Sequence, residues 1–151
     1  MKKLLFTVFV VLGILLLPIV SAATYGWGFK RNGDHETPEI GKYAQEIEGT
    51  SSYYVGDVNE KVVYLTFDAG YDNGNMEKIL KTLKMKNVKS TFFLTGDFLT
   101  RESELVKMID EDGHIVANHT WGHKNITTLS KTDIKKELTK VEDKYKEITN
   151  K

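Results

Sequence analysis

Cysteine is absent from all 151 residues. A disulfide framework is therefore excluded, and any part that works outside the cytoplasm must be held by core packing or by a metal. No sign of charge predominates either. With 21 basic residues against 21 acidic ones, no long-range field draws the chain to nucleic acid. No basic run with interleaved aromatics occurs, so the usual footprint of a nucleic-acid surface is missing. Low-complexity sequence is lacking as well, and a hydrophobic share of 40% suffices for a packed core. The length gives room for one domain of ordinary size.

What is present begins with an apolar N-terminus. Met1-Lys2-Lys3 is a positive n-region, residues 4–20 are almost unbroken apolar sequence, and Ser21-Ala22-Ala23 puts small residues at −3 and −1 of a cleavage site after Ala23. This is the tripartite pattern of a secretory signal over 1–23. Left uncleaved, the same run approaches the roughly 20 residues that span a bilayer, and it would be the chain's only tie to a membrane. Either way the remainder is exported and extracytoplasmic, and a cysteine-free exported chain fits a bacterial cell wall or outer membrane face. Loss of Lys2 and Lys3 with the signal leaves 19 basic against 21 acidic residues, a formal −2.

Residues 24–60 read as an irregular N-terminal extension. Tyr25-Gly26-Trp27-Gly28-Phe29 alternates aromatic and glycine, Arg31-Asn32-Gly33-Asp34 is turn chemistry, and 41–48 has the makings of one or two helical turns. The aromatics would dock on the domain; a linker without fixed structure is the other reading.

From residue 61 the pattern becomes regular. Val62-Val63-Tyr64-Leu65-Thr66-Phe67 has a buried-strand composition. A helix is expected over 75–85, with Met76, Ile79, Leu80 and Leu83 on one face and Asn73 or Asn75 as N-cap. A second strand is expected over 90–94. A second helix over 104–112 would turn Leu105, Met108 and Ile109 inward and stop at Gly113. A third strand over 114–118 follows. Ser130 would cap a last helix whose stripe is Ile134, Leu138, Val141, Tyr145 and Ile148. The order β-α-β-α-β-α indicates an α/β fold with a parallel sheet. Asp68 after the first strand and His119 after the third then share the carboxyl-end face, where α/β folds bind ligands.

Two strings carry the chemistry: Leu65-Thr66-Phe67-Asp68-Ala69-Gly70-Tyr71-Asp72-Asn73-Gly74 and His119-Thr120-Trp121-Gly122-His123. Two imidazoles at i and i+4 share one metal ion where the segment is a helical turn or a tight loop, although the spacing also arises by chance. An Asp after a strand is often only a cap or turn former. Better turn formers stand beside Asp68, however, and its place behind Phe67 would partly desolvate the carboxylate and raise its basicity, as a general base requires. His35 and His114 have no such partner, and His114 reads as a structural or incidental strand residue. An acid and a histidine pair on one face suit metal-assisted hydrolysis.

Thr66-Phe67-Asp68-Ala69-Gly70 resembles the first motif of the polysaccharide deacetylase (NodB-homology) family, usually T-F-D-D-G. His119-Thr120-Trp121-Gly122-His123 resembles its second, H-[S/T]-x-x-H. Tyr71-Asp72-Asn73 and the Tyr-Gly-Trp-Gly-Phe-Lys stretch at 25–30 are similar to the subgroup that makes muramic δ-lactam in spore peptidoglycan. The likeness runs from about Trp27 to the C-terminus. It implies a NodB-type (β/α) barrel, Asp68 as general base, and His119 and His123 as ligands of a divalent metal, zinc by default. The substrate it implies is an N-acetylated amino sugar of a glycan such as peptidoglycan. Tyr71 and Trp121 are candidate sugar-stacking residues.

Two departures from the family pattern stand out. Its second Asp, a metal ligand, is Ala69 here, which leaves two protein ligands and weak metal binding; Asp72 lies past the turn and is a poor substitute. The family's barrel also continues with an Arg-containing third motif and later motifs supplying a tryptophan and an acid histidine. About three βα units over 61–151 cannot close a barrel that needs about seven or eight strands. The sequence thus reads as the N-terminal part of such a domain, either a piece of a longer product or a truncated gene product. A non-catalytic glycan-binding remnant, with Trp27, Tyr71 and Trp121 stacking on sugars, is the alternative. A membrane-tethered α/β domain with purely structural Asp and His residues is the third reading.

Overall fold

The computed structural model describes residues 33, 36–37, 39–41 and 43–151. The signal segment 1–23, the aromatic stretch 25–29 and His35 lie outside the described residues. The chain divides into two compact units, 1–60 and 61–151. The first carries a short helix, α1 (Tyr43–Ile47), flanked by Gly41 and Gly49 with φ of 57° and 73°. Both are left-handed positions that glycine adopts without penalty, and the helix matches the turn or two expected over 41–48.

The second unit runs β1 (Thr66–Ala69), α2 (Met76–Lys86), β2 (Thr91–Leu94), α3 (Gly96–Arg101), α4 (Ser103–Glu111), β3 (Ile115–Asn118), a 3-10 turn (Ile126–Thr128) and α5 (Lys131–Thr149). The strands form one parallel sheet in the order β1-β2-β3, so the α/β class read from the pattern is the one found. Asp68 aligns with Phe93 and Phe93 with Ala117, while Phe67, Phe92 and Val116 form the neighbouring row. Aligned residues share a face and successive residues alternate. One face therefore carries Phe67, Ala69, Phe92, Leu94 and Asn118; the other carries Asp68, Phe93 and Ala117.

The core lies on the first face. Phe67 stacks on Phe92 with ring centroids 4.8 Å apart. Leu80 of α2, Phe98 and Leu99 of α3, Val106 and Ile109 of α4, and Val141 and Ile148 of α5 complete the cluster. Burial of each such side chain contributes about 1.5–3 kcal/mol, so this cluster is what fixes the helices to the sheet. Helix ends are closed locally. Asn87, at φ 51°, ends α2 with its N–H on the Lys84 carbonyl and that of Val88 on Leu83, a left-handed cap. Gly113, at φ 74°, turns the chain from α4 toward β3. Ser130 caps α5 by accepting from the Asp133 N–H at 3.1 Å, as expected.

Several expectations need correction. The first strand is Thr66–Ala69, four residues further on than its apolar run suggested, because its partner β2 starts only at Thr91, aligned with Thr66. Val62, Val63 and Tyr64 are exposed, Val63 to 81%. Asp68 accordingly lies in β1 and not after it. Asn75 occupies the N-cap of α2 but makes no side-chain cap bond; Asp72 does that work, its Oδ1 accepting from the N–H groups of Asn75 (3.2 Å) and Met76 (3.1 Å). In α4 it is Val106 that turns inward with Leu105 and Ile109, and Met108 is exposed. In α5 Leu138 is 38% exposed, while Glu137 beside it is only 7% exposed. The short helix α3, begun by Thr95 accepting from the Phe98 N–H at 3.3 Å, was not anticipated.

Candidate active site

Three consecutive strand ends build the site. β1 delivers Asp68, then the buried Ala69, Gly70 and the exposed Tyr71. β2 runs into Thr95, Gly96 and Asp97. β3 runs into the His119–His123 loop. The Ala69 carbonyl accepts from the Thr95 N–H at 3.1 Å, and the Leu94 carbonyl from the His119 N–H at 3.1 Å. The ladder thus extends one step past the strands and sets the three turns side by side. Asp68, Gly70, Tyr71, Thr95, Asp97, His119, Trp121, Gly122 and His123 line a single cleft of about 540 Å³. Every site residue expected in this unit is in that cleft.

The histidine loop is tight and internally braced. Asn118 Oδ1 accepts from the Thr120 N–H at 2.9 Å, and Thr120 Oγ1 from the His123 N–H at 3.1 Å. Thr120 and His123 sit at φ of 64° and 49°, left-handed positions that cost a non-glycine residue about 1–3 kcal/mol each. The contortion brings the two imidazoles within 4.7 Å of one another, centroid to centroid, with the Phe93 ring edge-on to His119 at 6.4 Å. The two rings thus stand side by side at the edge of the cleft.

Two further elements hold this loop from outside. The Gly96 N–H reaches the carbonyls of Thr120 (3.2 Å) and Trp121 (3.1 Å). The Trp121 indole lies over Gly96 so closely that a Cβ there would stand 2.3 Å from a ring carbon. From α5, the Glu137 carbonyl accepts from the Trp121 N–H at 3.0 Å and its Oε2 from the Gly122 N–H at 2.5 Å. The Gly122 N–H, aided by the Lys124 ammonium 3.3 Å from Oε1, holds the Glu137 carboxyl below its ordinary range. Lys140 Nζ lies 5.8 Å from the Trp121 ring centroid, within cation–π reach.

The remaining residues sort plainly. Asp68 is exposed, so the burial expected from its place behind Phe67 is not found. Ala69 is buried and offers no donor; Asp72 is engaged in capping α2. Among the described residues no group of three or more His, Asp and Glu side chains is gathered for a metal; the imidazoles of His119 and His123 stand together as a pair. Trp27 lies outside the described residues. His114 is buried at the opposite end of β3, its Nδ1 accepting from the Ser90 N–H at 3.2 Å; burial pushes its pKa down, in keeping with a structural role. Thr95, Gly96, Asp97, Asn118 and Glu137 were not picked out from the sequence. For the first three a signal existed: they follow the second strand on the same face. Glu137 acts through contacts across the fold, and no local pattern marks it; Asn118 braces the loop from two residues away and also donates to the Leu138 carbonyl at 2.9 Å.

Known proteins resemble this chain over most of its length. A 30.6 kDa protein from the fumA 3′ region of Geobacillus stearothermophilus is 48% identical over 124 residues, 82% of this chain and 47% of that protein. The peptidoglycan-N-acetylmuramic acid deacetylase PdaA of Bacillus subtilis is 41% identical over 126 residues, 83% of this chain and 48% of that protein. Its solved structure, described as a family 4 carbohydrate esterase, matches with a TM-score of 0.81 over 84% of this chain and 55% of that one. A family 4 pseudoenzyme from Bacillus anthracis matches at 35% identity and a TM-score of 0.58, over 62% of this chain and 33% of that one. The chain spans about half the length of the curated relatives it matches. The profile of the polysaccharide deacetylase family fits residues 55–151, and the chain belongs to that family.

Proposed function

We propose that this site serves the hydrolysis of N-acetyl groups on amino sugars of peptidoglycan, with muramic acid on the way to its δ-lactam as the specific substrate. The observation that carries this is the convergence of Asp68, His119 and His123 on one cleft at the carboxyl ends of the strands. The imidazole pair is suited to a divalent cation, zinc foremost for nitrogen donors, and Ala69 makes the hold a weak one. Bound there, the cation would polarise the acetamide carbonyl and acidify a water. Asp68, exposed and one strand away from Phe93, takes the proton of the attacking water. Tyr71 and Trp121, which both line the cleft, are the candidate platforms for a sugar ring.

The signal pattern over 1–23 supports export to the cell wall, and the likeness to the muramic-lactam subgroup supports sporulation as the setting. A second reading, glycan binding without turnover, is favoured by Ala69, which removes a ligand the family uses. Acetate release from muramic-acid-containing glycan separates the two. On the hydrolytic reading Asp68→Asn lowers the rate about 10²–10⁴-fold, and His119→Ala removes bound metal. Equal rates for parent and Asp68→Asn would sink the role of the base; glycan binding with no acetate released by the parent supports the second reading.

A further inference from the structure

Helix α5 places a carboxylate where its apolar stripe calls for a hydrocarbon. Glu137 is 7% exposed, whereas Leu138 faces outward. An inward carboxylate is costly unless hydrogen-bonded and paired, so its partners tell what it is for. They are the Gly122 N–H at Oε2 (2.5 Å) and Lys124 Nζ at Oε1 (3.3 Å), with the Trp121 N–H on the Glu137 carbonyl (3.0 Å). Trp121 and Gly122 are the two residues immediately before His123, inside the span the two imidazoles bracket. The fit is close: a Cβ on Gly122 would meet Oε2 at 3.3 Å. Both ends of that span are in left-handed conformations, at Thr120 and His123, which persist only where surrounding structure over-determines them.

The geometry points to Glu137 as the positioning residue of the histidine pair: its carboxylate, anchored in α5, clamps the loop backbone at Gly122 and thereby sets the spacing and tilt of the His119 and His123 rings. This rests on the hydrolytic reading for its use, but not for its structural content. Glu137 touches no reacting atom. It acts as an outer partner that orients ligands, and loss of such partners typically weakens metal binding about 10–100-fold.

The test uses the full-length protein in three variants. Glu137→Met keeps the volume and removes the acceptor; Glu137→Gln keeps an acceptor oxygen for Gly122; Glu137→Asp withdraws the carboxylate by one methylene. The first measurement is the imidazole NMR resonances of His119 and His123 in metal-free protein. The second is zinc affinity by competition with a chromogenic chelator. Glu137→Met is expected to shift both rings' resonances and weaken zinc about 10–100-fold. Glu137→Gln should restore both toward the parent, and Glu137→Asp should move them part of the way. Val141→Ala, a core cavity in the same helix, should lower stability and leave the rings unmoved. Parent-like ring resonances in Glu137→Met, or in Glu137→Asp should the first variant not fold, overturn the proposal. If the parent takes up no zinc, the metal-assisted reading fails instead, and the ring resonances still decide the positioning role.

Discussion

Gly96 has no side chain, and the indole of Trp121 occupies the space where one would stand. Gly96→Ala forces a rigid ring to move. It is expected to destabilise the protein by about 1–3 kcal/mol, the range for overpacking, and to alter tryptophan fluorescence, with thermal unfolding as the measure. Unchanged stability and emission would show that the indole has room to spare. Residues of this kind mark the boundary of what single positions disclose. Asp68, His119 and His123 stand out in the sequence by type and spacing, and the fold brings all three to one cleft. Ala69 was legible as a departure. Gly96 and Glu137 work by shape and by bonds to a loop some 15 or 25 residues away, and nothing adjacent to them in the chain records it.

Elements were legible where periodicity is long and the punctuation clear. The strand–helix alternation, the apolar face of α2 and the Ser130 cap follow from local physics, and the structure has them. The errors have identifiable causes. β1 slid because its length is set by a partner strand, not by its own β-branched run. Leu138 and Met108 were placed inward by spacing, while α5 turns a carboxylate in to hold a loop and α4 packs around Val106. α3 escaped notice because six residues carry too little periodicity. The cap of α2 yields an expectation of its own. Asp72→Ala leaves the Asn75 and Met76 N–H groups without their side-chain acceptor and should cost about 0.5–2 kcal/mol, read as a lower urea midpoint with an unchanged slope. An unshifted midpoint would mean that water or Asn73 serves as well.

For the whole molecule, charge couples folding to pH in one direction on the acid side. Glu137 is held below its ordinary 4.5 by the Gly122 N–H, and Asp110 and Asp112 below 3.8 by hydrogen bonds from Lys151 and Lys84. Carboxyls depressed in this way stabilise the fold above their unfolded values and stop doing so as the pH falls through the folded ones. Burial lowers His114 from 6.5, so the unfolded chain takes up a proton there first, and the sign is the same. Thermal midpoints should therefore decline on acidification from about pH 6.5 and steepen below about pH 4.5. On the alkaline side burial and Asp110 push Tyr145 up to about 12 from 10.0. The unfolded chain gives up that proton sooner, so stability falls again as the pH rises above about 10. A midpoint flat between pH 3 and 6, about the span these groups cover, would contradict the assignment.

The strand order has a metric consequence. β1 and β3 never pair; β2 stands between them, and Asp68, Phe93 and Ala117 share one rung. Two inter-strand steps of about 4.8 Å put the backbone of the acid and that of the strand leading to the histidines about 9–10 Å apart. That gauge is written in hydrogen bonds along the whole sheet, so no movement of a surface loop can widen or narrow it. Reach across the cleft is adjustable only through side-chain length and through the turn that carries the histidines. The sheet is a fixed ruler, and evolution of what the cleft accepts is left to the pieces bolted onto its ends.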